Sequence, residues 1–149
     1  MRYLAKKKFP PYAFVPGKFP HPEKPGGHME FEEVNVKKLD SIYDNEAYLY
    51  AIDLYNHGYY WEAHVWWEAL WNTENRKGDK ADFLKALIKF AAGKLKEKMN
   101  QTDIAQTHFS RGIELLDQLS MHDIFLGVHL ESFKGDYTKI TLENSTNVL

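Results

Sequence analysis

The chain has 149 residues, a formal net charge of −2, 27% charged and 15% aromatic side chains, and no cysteine. That length fits one ordinary domain, burying about 68–70% of the surface of the unfolded chain, and the missing thiols exclude disulfides, a thiolate zinc site and a cysteine nucleophile. Near-neutral, sign-interleaved charge excludes a global field for nucleic acid or anionic lipid, and no segment reaches the ~18 apolar residues of a membrane span.

The expected setting is a reducing cytoplasm. The basic residues 1–8 run into Phe9-Pro10-Pro11-Tyr12 rather than an apolar stretch, so they read as neither secretion signal nor anchor. The sequence argues against nucleic acid and membrane as partners and leaves a homo-oligomer open. It requires no cofactor, a divalent metal being the one its donor side chains could serve.

All six prolines fall within residues 9–28, together with Gly17, Gly26 and Gly27, which rules out helix and central strand there. Residues 1–30 are therefore expected to form an extended arm. Its aromatics Tyr3, Phe9, Tyr12, Phe14 and Phe19 need an apolar bed, so the arm is expected to pack on the body. A helical domain over 40–133 and a polar tail over 134–149 complete the expected organisation.

Helical periodicity begins near residue 44 with Ala47, Ala51, Leu54 and Tyr55, and Gly58 supplies a C-terminal stop. A second helix is predicted over 60–73, closed by Asn75-Arg76-Lys77-Gly78. Asp79 is expected to cap a third helix running to about Met99, with Asp82 as the capping-box acid. A fourth opens at Thr102 or Asp103 and is strongly amphipathic, with Ala105, Phe109, Gly112, Leu115 and Leu116 on its apolar face. A short fifth helix is predicted within 120–133. The fold class is thus all-α: two antiparallel helix hairpins packed as a four-helix bundle, plus a short C-terminal helix and the proline-rich arm.

The second helix carries the candidate chemistry. At 100° per residue, His64, Glu68 and Trp71 fall within about 60° of one another, flanked by Tyr60, Trp67 and Trp61. Ala63, Trp66 and Leu70 make a second apolar surface, so the helix is expected to be the buried centre of the bundle and its polar residues to be buried with it. Buried polar groups need partners, and the i,i+4 spacing lets His64 and Glu68 pair. On the third helix Lys94 shares an angle with Phe83, Leu87, Phe90 and Ala91, whereas Lys85, Lys89 and Lys96 take the solvent side. Lys94 is therefore expected to point inward, toward Glu62 or Glu68. His108 lies at the edge of the fourth helix's apolar face.

The run Ala51-Ile52-Asp53-Leu54-Tyr55-Asn56-His57-Gly58-Tyr59-Tyr60-Trp61-Glu62-Ala63-His64, followed by Glu68 and Trp71, resembles the domain-of-unknown-function family numbered 309. Phe83-Leu84-Lys85-Ala86-Leu87-Ile88-Lys89-Phe90-Ala91-Ala92 and Phe125-Leu126-Gly127 are similar to further stretches of that family. The segment Pro16-Gly17-Lys18-Phe19-Pro20-His21-Pro22 through Gly26-Gly27-His28 resembles an extension of some bacterial members. The resemblance implies an all-helical domain found in bacteria and archaea, bearing a His-x-x-x-Glu-x-x-Trp pattern with no reaction attached. Val65 stands where members often carry Glu, removing one candidate acid.

Three readings of the site remain open. In the structural one, His64 and Glu68 form a satisfied pair that fixes helix packing. In the functional one, a pocket holds His64 and Glu68 as catalytic residues, with Tyr60, Glu62, Trp67, Trp71 and Lys94 as binding residues. His64 would then be a general base or acid oriented by Glu68, with water as the nucleophile, as in a hydrolase. In the metal reading, His64 and Glu68 recruit His28, His21 or His108 to complete a ligand set. A non-catalytic interaction module competes with all three, because Ala51, Leu54, Gly58, Tyr59 and Ala63 are spaced like a tetratricopeptide helix-turn-helix. The arm is expected to cover the His64 and Glu68 region.

Overall fold

The computed structural model describes residues 1–29 and 34–143; residues 144–149 of the expected tail lie outside the described residues. Five helices and one short hairpin follow in chain order: α1 (Glu46–Asn56), α2 (Tyr60–Thr73), α3 (Asp79–Lys98), α4 (Thr102–Asp117), β1 (Ile124–Phe125), β2 (Val128–His129) and α5 (Leu130–Gly135). The long helices pack on their neighbours in sequence, α1 on α2, α2 on α3 and α3 on α4, so the bundle is built from successive pairs.

Local chemistry sets the helix ends. Asn45 caps α1, its side chain accepting from the Tyr48 N–H at 3.0 Å while its amide donates to the Lys37 carbonyl at 3.1 Å. At the other end Gly58 takes φ +86°, and the Tyr59 and Gly58 N–H groups bond back to the Leu54 and Tyr55 carbonyls at 2.8 and 3.2 Å. That paired closure needs a left-handed residue, which Gly supplies without strain. Asn100, at φ 59°, does the same for α3. The start of α3 differs from expectation: Gly78, at φ 93°, is the N-cap, and Asp79 is already the first helical residue. Asp79 then acts through its charge at the positive helix end rather than as a cap.

Packing of α3 on α4 depends on two notches. A Cβ on Gly93 would overlap the Phe109 ring, and one on Gly112 would meet the Phe90 ring at 2.8 Å. Each helix lends a glycine to the other's phenylalanine, so the backbones approach closely. Trp67, Tyr48, Tyr55, Phe83, Phe90 and Phe109 are the largest fully buried side chains of the core.

The expected helix within 120–133 is instead the β1–β2 hairpin followed by α5. Leu126 and Gly127 both take positive φ, 47° and 82°, as a two-residue hairpin turn demands. The Tyr48 hydroxyl donates to the Leu126 carbonyl at 2.8 Å and holds the turn on the core. The segment after α5 is also less polar in effect than its composition suggests. Ile140 and Leu142 are buried; Asn56 brackets the Ile140 backbone at 2.8 and 2.7 Å, and the Leu142 N–H donates to the Tyr3 hydroxyl at 2.8 Å.

Residues 1–29 contain neither helix nor strand. Asp53 of α1, fully buried, accepts from the Tyr3 and Leu4 N–H groups at 2.7 and 2.8 Å and from Arg2 Nε at 3.2 Å. A carboxylate among three donors is a strong anchor, and it joins the first residues of the chain to the helical body.

Candidate functional site

Helix α2 presents two carboxylates in opposite circumstances. Glu62 is buried and turned toward the N-terminal segment, where its Oε2 receives the Phe14 N–H at 2.9 Å and His28 Nε2 at 2.5 Å. Both side chains of that pair are 1% exposed. Among the described residues no hydrogen-bond partner reaches Glu62 Oε1 or His28 Nδ1. The adjoining Trp61 indole is met edge-on by Phe14 and His21, with ring centroids 5.5 and 5.2 Å away.

Expectation placed His64 and Glu68 in the interior, and the structure corrects it. Their side chains are 31% and 53% exposed, with His64 Nε2 3.7 Å from Glu68 Oε2. That separation is too long for a hydrogen bond. The N-terminal segment covers Glu62 and rests on Trp61 but stops short of sealing this pair. His64 and Glu68 line a shallow groove of about 350 Å³ with Glu23, Val34, Trp61, Val65, Ala69 and Asn72. The reason is angular: residues 62 and 64 are 200° apart on the helix, so the segment that buries one leaves the other open.

The ring of His64 is nevertheless oriented. Its Nδ1 lies 2.7 Å from the Trp61 carbonyl oxygen, one turn back. A carbonyl only accepts, so Nδ1 carries the proton and, in the neutral ring, Nε2 presents its lone pair beside Glu68. An imidazole so held has an acceptor nitrogen able to take a proton from a molecule in the groove.

The remaining candidates disperse. Lys94 is largely covered, as its helical angle predicts, but it pairs with Glu97 at 3.3 Å on its own helix rather than reaching Glu62 or Glu68. Trp71, two turns beyond His64, is half-buried and does not line the groove; the Arg76 guanidinium lies 4.9 Å above its ring. Trp67 is fully buried and belongs to the core. Tyr60 packs edge-on against Tyr55 at 5.4 Å, and burial, with Glu97 nearby, raises its phenol pKa above the ordinary value. His108 stands apart, in a groove between α3 and α4; burial first, then the Lys89 and Lys96 charges, lowers its pKa. Among the described residues no three His, Cys, Asp or Glu side chains are placed to hold a metal ion.

Sequence reasoning missed Asp53 and Phe14, and it treated His28 only as a metal candidate. Two buried carboxylates on α1 and α2 needing donors, and a donor-rich segment upstream, were the signals available.

Among the described residues no helix is long and apolar enough to cross a membrane. Neither the curated proteins nor the solved structures yielded a match to the chain. Residues 48–108 match the model of a domain of unknown function, DUF309. That stretch runs from the first turn of α1 into α4 and includes Glu62, His64 and Glu68, while His28 lies outside it. From α1 to the first half of α4, the chain is similar to the DUF309 family.

Proposed function

We propose that the groove beside His64 and Glu68 is a small-molecule site, and that His64 serves there as a general base on water in hydrolase-type chemistry. One observation carries the reading: the Trp61 carbonyl holds His64 Nδ1 at 2.7 Å, which aims Nε2 at the groove. A pair serving only packing would be buried and bonded. This one is open and 3.7 Å apart, so its arrangement adds little to stability. Glu68 lines the groove beside the ring, and Trp61, Val65 and Ala69 supply apolar contact.

The test is a fragment screen that includes small esters and amides, followed by nitrogen–proton NMR correlation spectra. Expected are saturable shifts at the Trp61 indole and the His64 ring, lost in His64→Ala. Hydrolysis of any bound ester should fall in both His64→Ala and Glu68→Gln. If no fragment moves these signals, or if the variants respond as the parent does, the reading fails. The competing reading, a helix-hairpin interaction module, is favoured by Ala51, Leu54 and Ala63, which are fully buried where α1 meets α2.

A further inference from the structure

A second polar groove lies between α3 and α4, away from His64. Its lining is Lys89 from α3 and Gln106, Thr107, His108, Ser110, Arg111 and Glu114 from α4, enclosing about 560 Å³. The two glycine notches at Gly93 and Gly112 bring the backbones close enough for side chains of both helices to share it.

The charge here runs against that of the molecule. The chain has 21 acidic against 19 basic residues, yet among the described residues Lys89 and Lys96 have no carboxylate within ion-pair distance, although Lys94 and Arg111 on the same helices do. Arg111 gives one guanidinium nitrogen to Glu114 at 3.1 Å and keeps its other donors free for the groove. The Ser110 hydroxyl and the Gln106 amide add neutral donors.

We propose that this groove binds a small phosphorylated molecule through its phosphate, held by Lys89 and Arg111 and flanked by His108 and Ser110. An arginine fork beside a lysine point charge suits several anionic oxygens on one centre better than a single carboxylate. The groove exceeds one phosphate in volume, leaving room for an organic remainder. His108 gives the event a signature. The empty groove disfavours its cation, since burial, Lys89 and Lys96 all push its pKa down; an arriving dianion reverses that field, so binding draws a proton onto His108.

The experiment is an NMR titration of the His108 ring with inorganic phosphate, against sodium chloride at matched ionic strength. A saturable shift and a raised His108 pKa in phosphate alone are expected. Lys89→Gln and Arg111→Gln, each on the surface of a stable helix, should weaken binding about tenfold, and Glu114→Gln should tighten it by removing the competing carboxylate. His64→Ala should leave it unchanged, which separates this site from the groove on α2. Equal responses to phosphate and chloride, or variants that bind as the parent does, would overturn the proposal.

Discussion

The buried His28–Glu62 contact and the open His64–Glu68 pair use the same two functional groups, and both rest on α2. The first is 1% exposed on each side with its atoms 2.5 Å apart; the second is a third to a half exposed at 3.7 Å. Glu62 and His64 are only two residues apart, but on a helix that is opposite sides. Burial therefore separates a contact that holds the molecule together from one left free to act on something else. A carboxylate out of water is worth what its partners return, whereas an exposed pair contributes ~0–1 kcal/mol.

Replacing Glu62 should show the largest effect. Glu62→Ala strands the His28 ring and the Phe14 N–H, so urea denaturation should register a loss of ~3 kcal/mol; a loss below ~1 kcal/mol would erase the distinction between the two pairs. His28→Ala comes next, at ~2 kcal/mol, because Glu62 keeps its bond to Phe14. It should also raise tryptophan quenching as the segment over Trp61 loosens.

A third histidine sharpens the contrast through pH. His108 has a folded-state pKa below its unfolded value, so the unfolded chain binds the proton more readily. Stability should therefore decline as pH falls below about 6.5. In His108→Gln that part of the acid slope should vanish, and an unchanged slope would show that His108 is not desolvated in solution. The smallest effect belongs to the open pair: His64→Ala and Glu68→Gln should each shift stability by no more than ~0.5 kcal/mol. A cost near that of Glu62→Ala would mean that His64 and Glu68 are structural after all.

Much of the helical scaffold is legible in the residues alone. The α2 boundaries expected from periodicity, 60–73, are those observed, since Gly58 before it and a polar run after it are local signals acting over one or two turns. The 120–133 segment was less legible. Its hairpin turn at Leu126-Gly127 is stabilised by Tyr48, far away in sequence, and no local pattern reveals a turn whose left-handed leucine is held from α1.

By itself the sequence determined the four long helices and which of their residues share a face, because a 3.6-residue period is written into the order of apolar and polar side chains. It placed Glu62, His64 and Glu68 on one helix. Tertiary structure decided which face is covered: the cover comes from a proline-rich segment that touches α2 through Phe14 and His28. Periodicity measures angles around one helix axis. Burial depends on what lies against that axis, and here that partner arrives from 34 residues upstream of Glu62.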